Sequence, residues 1–345
     1  MPANLSPDYK KAEQAYRAAR DERERLACLR EMLSSIPKHK GTEHLQADIK
    51  SRIKQLSDDL AGPKKGATRG GPVHVVRREG AAQVALLGPP NAGKSSLHVK
   101  LTGSRAEVGP YPHSTHAPMP GMCAFEDIHF QLVDLPPISA DFFEPWLVNA
   151  LQPADAALLI VDISDPNCTD HVEIICDRVN EKKISLTDIW PAAETSALDT
   201  DSDDDARALD PFRIYLPTLL VANKFDLNPE MENIQILKEL TGVKFPALGV
   251  SAETGEGLAT LAAFLFEQLG IVRIYTKSPG KAAEMDRPFT LSAGANVMDV
   301  ARLVHKDIAG SLRYARAWGS EVFDGQQVGP EHVLSDRDVV ELHMR

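Results

Sequence analysis

The chain has 345 residues, of which 43% are hydrophobic and 25% charged, and its formal net charge at pH 7 is −11. This length suits two domains and a small third, and the composition is that of a globular protein. No apolar run approaches the roughly 18 residues of a membrane-spanning helix, and the N-terminus lacks a secretory pattern. The four cysteines are far apart without a CxxC pair, which argues against both a disulfide framework and a zinc knuckle. We therefore expect a cytoplasmic protein.

Charge is distributed unevenly along the chain. Residues 1–80 carry 17 Lys and Arg against 11 Asp and Glu, a local charge of +6, whereas the rest carries −17. A basic end on an acidic body indicates either a surface that meets a phosphate backbone or an ordinary solvated helical surface.

The N-terminal segment is predicted to be helical. Apolar residues spaced by three and four form one stripe: Leu45, Ile49, Ile53, Leu56 and Leu60. A longer helix is predicted over 6–34, with a break at Ile36-Pro37. These two helices predict a helical hairpin over 1–61, followed by a Gly- and Pro-rich linker over 62–80.

An α/β domain is predicted over 81–270, because short apolar runs alternate there with helical stretches. The runs cover 82–87, 130–135, 157–163 and 215–223. Continuous apolar strands are typical of a mostly parallel sheet with helices on both faces. An acidic insertion at about 165–212 is predicted to contain a disordered loop; a metal site is the alternative, although the stretch lacks the glycine and closing glutamate of a calcium loop.

The first apolar run leads into the sequence GPPNAGKSS at 88–96, which matches G-x-x-x-x-G-K-[ST] between a strand and a helix. Its glycines let backbone N–H groups surround a phosphate, and the following helix N-terminus favours an anion. We expect Lys94 to reach the β- and γ-phosphates and the Ser95 hydroxyl to coordinate Mg²⁺. The residues of this loop expected to contact a nucleotide are Gly88, Pro89, Asn91, Ala92, Gly93, Lys94, Ser95 and Ser96. A chance glycine loop is the alternative.

A second motif, Asn223-Lys224-Phe225-Asp226, follows the apolar run that ends at 223. The carboxylate of Asp226 can accept both N1–H and N2–H of guanine, whereas adenine offers no such pair of donors. We expect Asn223 to bind the base edge and the stem of Lys224 to lie along the face of the base.

Two further signals support a nucleotide site. Ser251, Ala252 and Glu253 follow another apolar run, and a backbone N–H there can meet guanine O6. Asp134 ends the run FQLVDL, where it can hold the water shell of Mg²⁺. Together the four signals predict a site for GTP and GDP with Mg²⁺.

The order of GPPNAGKSS, DLPP, NKFD and SAE resembles that of the translation-factor-like GTPases. The segment GPYPHSTHAP at 109–118 resembles switch I of the Obg-like GTPases. The C-terminal stretches VRIYTKSPG, LRYARAWGSEV and QQVGPEHVLSDRDVVEL resemble the TGS domain of the developmentally regulated GTP-binding proteins, and PKHKGTEHLQADIKSRIKQLSDDL resembles their helical segment. The chain is thus similar to this family over most of its length.

The resemblance implies a P-loop GTPase domain preceded by a helical hairpin and followed by a β-grasp TGS domain over 271–345. It implies hydrolysis of GTP to GDP and phosphate. Thr115 would complete the Mg²⁺ shell and sense the γ-phosphate, with Ser114 as the fallback, so that Lys94 and Thr115 are the predicted catalytic residues.

The resemblance also implies that the N-terminal helices and the TGS domain bind the ribosome or RNA. No membrane and no DNA are expected as partners. Tyr275, Tyr314 and Trp318 are expected to pack in the core of the β-grasp fold.

The sequence departs from the family pattern around its second switch. Pro137 stands where family members carry a glycine whose N–H binds the γ-phosphate, and proline has no N–H. Ile138 occupies the place where many GTPases carry a water-positioning glutamine. The alternative function is therefore a hydrolytically impaired GTP-binding scaffold or adaptor; an ATPase with a TGS domain is a third candidate, against which Asp226 argues.

Asn91 is a departure of another kind, because potassium-activated GTPases carry Asn where this family usually has Ser. By that resemblance Asn91 is a ligand of K⁺; alternatively, it hydrogen-bonds its own loop.

Overall fold

A computed structural model describes six stretches of the chain: 6–19, 22–37, 42–61, 76–104, 117–196 and 212–344. The described residues form two compact units. One unit holds the N-terminal helices and Phe212, and the other holds both sheets. Thr115 and Ser114, most of the predicted linker and the Asp-rich stretch lie outside the described residues.

The N-terminal unit contains three helices within the described residues: α1 (Pro7–Ala18), α2 (Glu22–Ser35) and α3 (Glu43–Ala61). The apolar stripe predicted α3, but the helix expected over 6–34 is two helices. Ala19 has extended backbone (φ −66°, ψ 125°), and its carbonyl accepts a hydrogen bond from Arg25 Nε at 3.0 Å. Neither Gly nor Pro occurs at this break, so the sequence carried no signal for it.

The core of this unit includes Phe212, a residue that is distant in sequence from the three helices. Tyr9, Met32 and Ile49 are fully buried in it. Phe212 packs with them: the ring of Tyr16 meets its ring edge-on at 6.0 Å between centroids, and the Arg52 guanidinium lies 4.3 Å from its centroid.

The larger unit begins with a seven-stranded sheet. Six of its strands follow the order β2-β3-β1-β4-β6-β5, and the seventh, β7, also pairs with β6. Only the β2–β3 pair is antiparallel among these described strands. The strands are β1 (Gln83–Leu87), β2 (Met119–Phe125), β3 (Ile128–Asp134), β4 (Ala156–Asp162), β5 (Ile184–Thr187), β6 (Ile214–Asn223) and β7 (Ala247–Gly249). The helices are α4 (Lys94–Thr102), α5 (Leu147–Leu151), α6 (Cys168–Asn180), α7 (Pro191–Ser196), α8 (Met231–Thr241) and α9 (Leu258–Gln268).

This sheet is buried on both faces, as its continuous apolar strands predicted. Ala85 and Leu87 of β1 belong to one apolar core, and Val84 and Leu86 belong to the core on the opposite face. Successive side chains of a strand point to opposite faces, so each strand contributes to both layers. The four predicted runs correspond to β1, β3, β4 and β6, and the predicted α/β fold class is confirmed.

The C-terminal part forms a second sheet in the order β11-β10-β12-β8-β9, in which only β12 and β8 pair in parallel among the described strands. The strands are β8 (Ile271–Lys277), β9 (Ala283–Ser292), β10 (Leu312–Gly319), β11 (Val322–Val328) and β12 (Val339–Met344). Two helices, α10 (Val297–Val304) and α11 (Lys306–Ser311), complete it. The core contains Ile274, Val300 and Val340.

Tyr314 and Trp318 do not lie in that core, contrary to expectation, whereas Tyr275 is buried and its hydroxyl donates to Asp127. Ala315 and Ala317 of β10 are core residues, and alternation along the strand therefore turns Tyr314 and Trp318 to the other face. There Tyr314 stacks on His343 at 4.5 Å, and Lys277 Nζ lies 4.2 Å above Trp318. The sequence shows aromatic residues but not which face of the strand is buried.

The two sheets are joined by an ion cluster around Arg273 of β8, whose side chain is 3% exposed. Its guanidinium contacts Glu126, Asp127 at 2.9 Å and Asp336 at 2.6 Å. Glu126 and Asp127 form the turn between β2 and β3, whereas Asp336 precedes β12. The guanidinium also lies 4.7 Å from the ring of Phe266 on α9.

The pKa values of these carboxyl groups follow from their contacts. Burial by itself would raise the pKa of Asp336, but hydrogen bonds from the side chain and backbone of Arg273 outweigh it and lower that pKa. Burial of Asp127 is likewise outweighed, by hydrogen bonds from Tyr275 and Arg273, and its pKa is lowered. Hydrogen bonds from Arg273 and Arg337 lower the pKa of Glu126.

None of the helices within the described residues is both long and apolar enough to cross a membrane.

Candidate functional site

Those predicted site residues that the structure describes lie where the parallel strands of the first sheet end. Gly88 follows β1, and Asp134 ends β3 in the register Leu86 to Asp134. Asp162 ends β4 directly opposite Asn223, the last residue of β6. The carboxyl ends of neighbouring parallel strands form the usual ligand crevice of an open α/β sheet.

The loop between β1 and α4 requires its glycines. Gly93 caps the N-terminus of α4 with a positive φ of 85°, and a Cβ there would lie 2.2 Å from Nδ2 of Asn223. A Cβ at Gly88 would lie 2.3 Å from the carbonyl oxygen of Ile160 on β4. The loop therefore keeps this path only with glycine at both positions.

Lys94 lies folded into this loop and is 6% exposed. Its Nζ donates to the carbonyl oxygens of Gly88 at 3.2 Å and Pro89 at 2.9 Å. Burial lowers the pKa of Lys94 to about 8, and the nearby carboxylate of Asp134 opposes that effect. The ammonium group is thus still mainly charged at neutral pH, as binding to a phosphate requires.

Ser95, near the start of α4, and Asp134, at the end of β3, place two oxygen ligands for a metal ion side by side. Ser95 Oγ donates to Oδ2 of Asp134 at 2.5 Å, and Asp134 is 1% exposed. In the described parts of the chain, no group of three or more His, Cys, Asp or Glu side chains is arranged so that it could hold a metal ion. One hydroxyl and one carboxylate fit Mg²⁺, which keeps several waters and takes its remaining ligands from phosphates. Predicted Thr115 falls outside the described residues.

Asn223 connects two loops of the site. Its Nδ2 donates to the carbonyl oxygen of Ala92 at 2.8 Å, and its Oδ1 accepts from the N–H of Ala252 at 3.1 Å. Both ends of this buried amide therefore hold the phosphate loop against the loop after β7. Contact between Asn223 and a base edge stays a prediction.

The loop after β7 is fixed by its own hydrogen bonds. Ser251 is fully buried, and its Oγ accepts from the N–H of Thr254 at 3.0 Å. Its N–H donates to the carbonyl oxygen of Glu256 at 3.0 Å. Lys100 of α4 reaches the carbonyl oxygen of Glu253 at 3.3 Å. Ser251, Ala252 and Glu253 thus lie at the same edge as the phosphate loop.

Asp226 sits on a short 3-10 turn, Phe225–Leu227, directly after β6. Phe225 anchors the turn: it is buried, and a Cβ at Gly249 would lie 2.7 Å from its ring. Lys224 precedes the turn with a positive φ of 59°. The turn holds Asp226 in a defined place beside the Asn223 junction.

Asp162 is a site residue that the sequence analysis missed. Its Oδ2 pairs with Lys224 Nζ at 2.5 Å, and its Oδ1 accepts from the N–H of Ser164 at 2.9 Å. Burial would raise the pKa of Asp162, but hydrogen bonds from Lys224 and Ser164 outweigh it and lower that pKa. The ion pair orients the lysine predicted to lie along a base. A usable signal was the aspartate that ends the run ALLIVD.

Asn91 is exposed at the tip of the phosphate loop and has a positive φ of 60°. Within the described stretches its side chain makes no hydrogen bond, so the alternative that it bonds its own loop is not what the structure shows. Asparagine tolerates this left-handed backbone better than most residues.

Comparison with known proteins adds independent findings. Residues 83–189 match the family model of the 50S ribosome-binding GTPase, and residues 272–344 match that of the TGS domain. An uncharacterized GTP-binding protein of Methanocaldococcus jannaschii is 29% identical over 364 aligned positions, which cover 92% of each chain. Developmentally-regulated G-protein 1 of Arabidopsis thaliana is 26% identical, over 92% of this chain and 90% of that protein.

The fold recurs in a solved structure, that of a GTP-binding protein from Pyrococcus horikoshii OT3. The TM-score is 0.50 at 17% identity, and the match covers 76% of this chain and all of the other.

The fold, the phosphate loop and these matches define a P-loop GTPase domain followed by a TGS domain. Over most of its length the chain is related to the developmentally regulated G-proteins, which confirms the resemblance in its sequence.

Proposed function

We propose that the protein binds GTP and GDP with Mg²⁺ and hydrolyses GTP to GDP and phosphate. The observation that supports this most strongly is the Asn223 junction, which joins the phosphate loop to the loop after β7 through two hydrogen bonds. Lys94 and the Ser95–Asp134 pair lie at one end of this arrangement, and Asp226 lies at the other.

Each group has a role that its chemistry suits. Lys94 neutralises the charge of the phosphates, Ser95 and Thr115 bind Mg²⁺, and Asp226 binds guanine. Bound Mg²⁺ supplies further charge neutralisation at the phosphate oxygens. Attack by water on the γ-phosphate needs mainly positioning and charge stabilisation, which these residues provide.

Ile138 cannot orient the attacking water, because it is apolar and 1% exposed. A monovalent cation at Asn91 compensates in our proposal. The exposed amide of Asn91 would hold K⁺ through its oxygen, and the bound cation would supply positive charge to stabilise the developing negative charge.

Single-turnover hydrolysis of GTP with Mg²⁺, measured in KCl and again in NaCl, tests the activity and the role of Asn91 together. We expect turnover to be about 100-fold faster in K⁺, which is the order of effect of one group that stabilises charge in the transition state. Asn91→Gly removes the amide but tolerates the positive φ, so it should abolish the difference between the salts without straining the loop.

Equal rates in both salts would disprove the role of Asn91. Tight binding of GTP without turnover in either salt would instead support the hydrolytically impaired scaffold, which the buried Ile138 favours.

We also propose that the protein is cytoplasmic and binds the ribosome or RNA through its N-terminal helices and its TGS domain. The support is the 50S ribosome-binding description of the matching GTPase family and the positive charge of residues 1–80.

Co-sedimentation with ribosomes over a range of salt concentrations tests this partner. Binding should weaken steeply with salt, since contacts with phosphates release counterions. Lys50 and Lys54 are exposed one turn apart on α3, and their joint change to Glu should weaken binding and flatten the salt dependence. Lys244→Glu on the acidic body is the control; salt-independent co-sedimentation would contradict the proposal.

A further inference from the structure

We propose that the segment 134–139, here called switch II, stays bound to the phosphate loop whether GDP or GTP is present, and that Pro137 is the residue that prevents it from sensing the γ-phosphate. This inference rests on the proposed binding of guanine nucleotides. It identifies Pro137 as the reason that switch II does not distinguish bound GDP from bound GTP.

Switch II offers almost no backbone donors at the phosphate site. Pro136 and Pro137 have no N–H. The N–H of Ile138 is already engaged, since it donates to the carbonyl oxygen of Gly88 at 3.1 Å. The same carbonyl accepts from Lys94 Nζ at 3.2 Å. The chain at Ile138 therefore lies beside the phosphate-binding lysine, but its donor faces the loop.

Apolar burial holds the segment in place. Leu135 is fully buried and Ile138 is 1% exposed, and both belong to the core that contains Leu147 of α5. Beyond them, Ser139 and Phe142 exchange backbone hydrogen bonds at 3.0 and 3.4 Å, which closes a turn. A movement of switch II would expose two apolar side chains and break the bond to Gly88.

A ligand shifts a conformational equilibrium only by its differential contacts with the two states. In switching GTPases, contacts with the γ-phosphate order the switch segments and hydrolysis releases them. Here a γ-phosphate would find no free donor at positions 136–138 to set against the buried contacts. Switch II is consequently in the same place before and after hydrolysis.

Hydrogen exchange and affinity measured on the full chain with Mg²⁺ test the proposal, with GDP and the non-hydrolysable GTP analogue GMPPNP as the ligands. We expect the Ile138 amide to be equally protected in both complexes. Pro137→Gly supplies an N–H at the critical position, so it should raise the preference for GMPPNP over GDP by about tenfold, as for one hydrogen bond to a charged group. It should also make exchange at Ile138 depend on the nucleotide.

Pro136→Gly is the matched control. It adds the same backbone freedom next door but should leave the preference unchanged. Thermal unfolding of both variants shows whether their stabilities fall alike.

Loss of protection at Ile138 with GMPPNP in the unaltered chain would overturn the inference, as would equal changes in preference for both variants. If neither GDP nor GMPPNP binds, the proposed function itself fails, which is a distinct result.

Discussion

Asp226→Asn is expected to transfer the preference of the protein from GTP to XTP. In the proposed complex the carboxylate of Asp226 would accept two hydrogen bonds from guanine, whereas the amide of Asn offers a donor that suits the extra oxygen of xanthine. A site built around hydrogen bonds rejects a mismatched base strongly, and we expect GTP affinity to fall by at least about 100-fold. Titration with fluorescent GTP and XTP measures both affinities.

XTP also serves as the control, because its tight binding by Asp226→Asn shows that the variant is folded. Phe225 anchors the turn in the core and residue 226 is not part of that core, so the substitution should leave the fold intact. An unchanged preference for GTP over XTP would refute the contact between Asp226 and the base.

Arg273→Met is expected to destabilise the larger unit by about 3 kcal/mol. The buried guanidinium is the shared partner of three part-exposed carboxylates, those of Glu126, Asp127 and Asp336, and its removal leaves all three without that partner. Methionine keeps much of the apolar stem against Phe266. Unfolding in urea at pH 7 measures the loss.

Arg337→Met is the matched control, because Arg337 contacts the same Glu126 at 2.9 Å but is largely exposed. Exposed ion pairs contribute little, so this variant should resemble the unaltered chain. Equal losses of unfolding free energy in the two variants would show that Arg273 stabilises the protein no more than an exposed ion pair does.

Acid should reduce the difference in free energy of unfolding between Arg273→Met and the unaltered chain. The pKa values of Asp127 and Asp336 are lowered from an ordinary 3.8, so the stabilisation is complete above that pH and is lost as the pH falls through the lowered values. Unfolding measurements repeated near pH 3 should therefore show a smaller effect of the substitution.

The sequence predicted the strands and loops whose chemistry is local. Gly88 to Ser96 form a phosphate loop only with this spacing, and continuous apolar runs led to β1, β3, β4 and β6. The ends of those strands placed Asp134 and Asn223 at one edge, since parallel strands end together.

Residues that act through distant partners escaped prediction. The Asn223 amide hydrogen-bonds to the backbones of Ala92 and Ala252, which are both remote in sequence, so no local pattern reveals this bridging role. Arg273 depends on a turn about 150 positions earlier. The break at Ala19 has no Gly or Pro, and the outward face of Trp318 depends on which side of the sheet receives a helix.

Phe212 determines when, during translation, the N-terminal unit can complete its folding. The helices leave the ribosome first, but their core includes an aromatic ring that is made about 150 residues after α3. A nascent chain that ends before this residue has no ring between Tyr16 and Arg52. Much of the GTPase domain is therefore translated before the N-terminal unit can complete its folding.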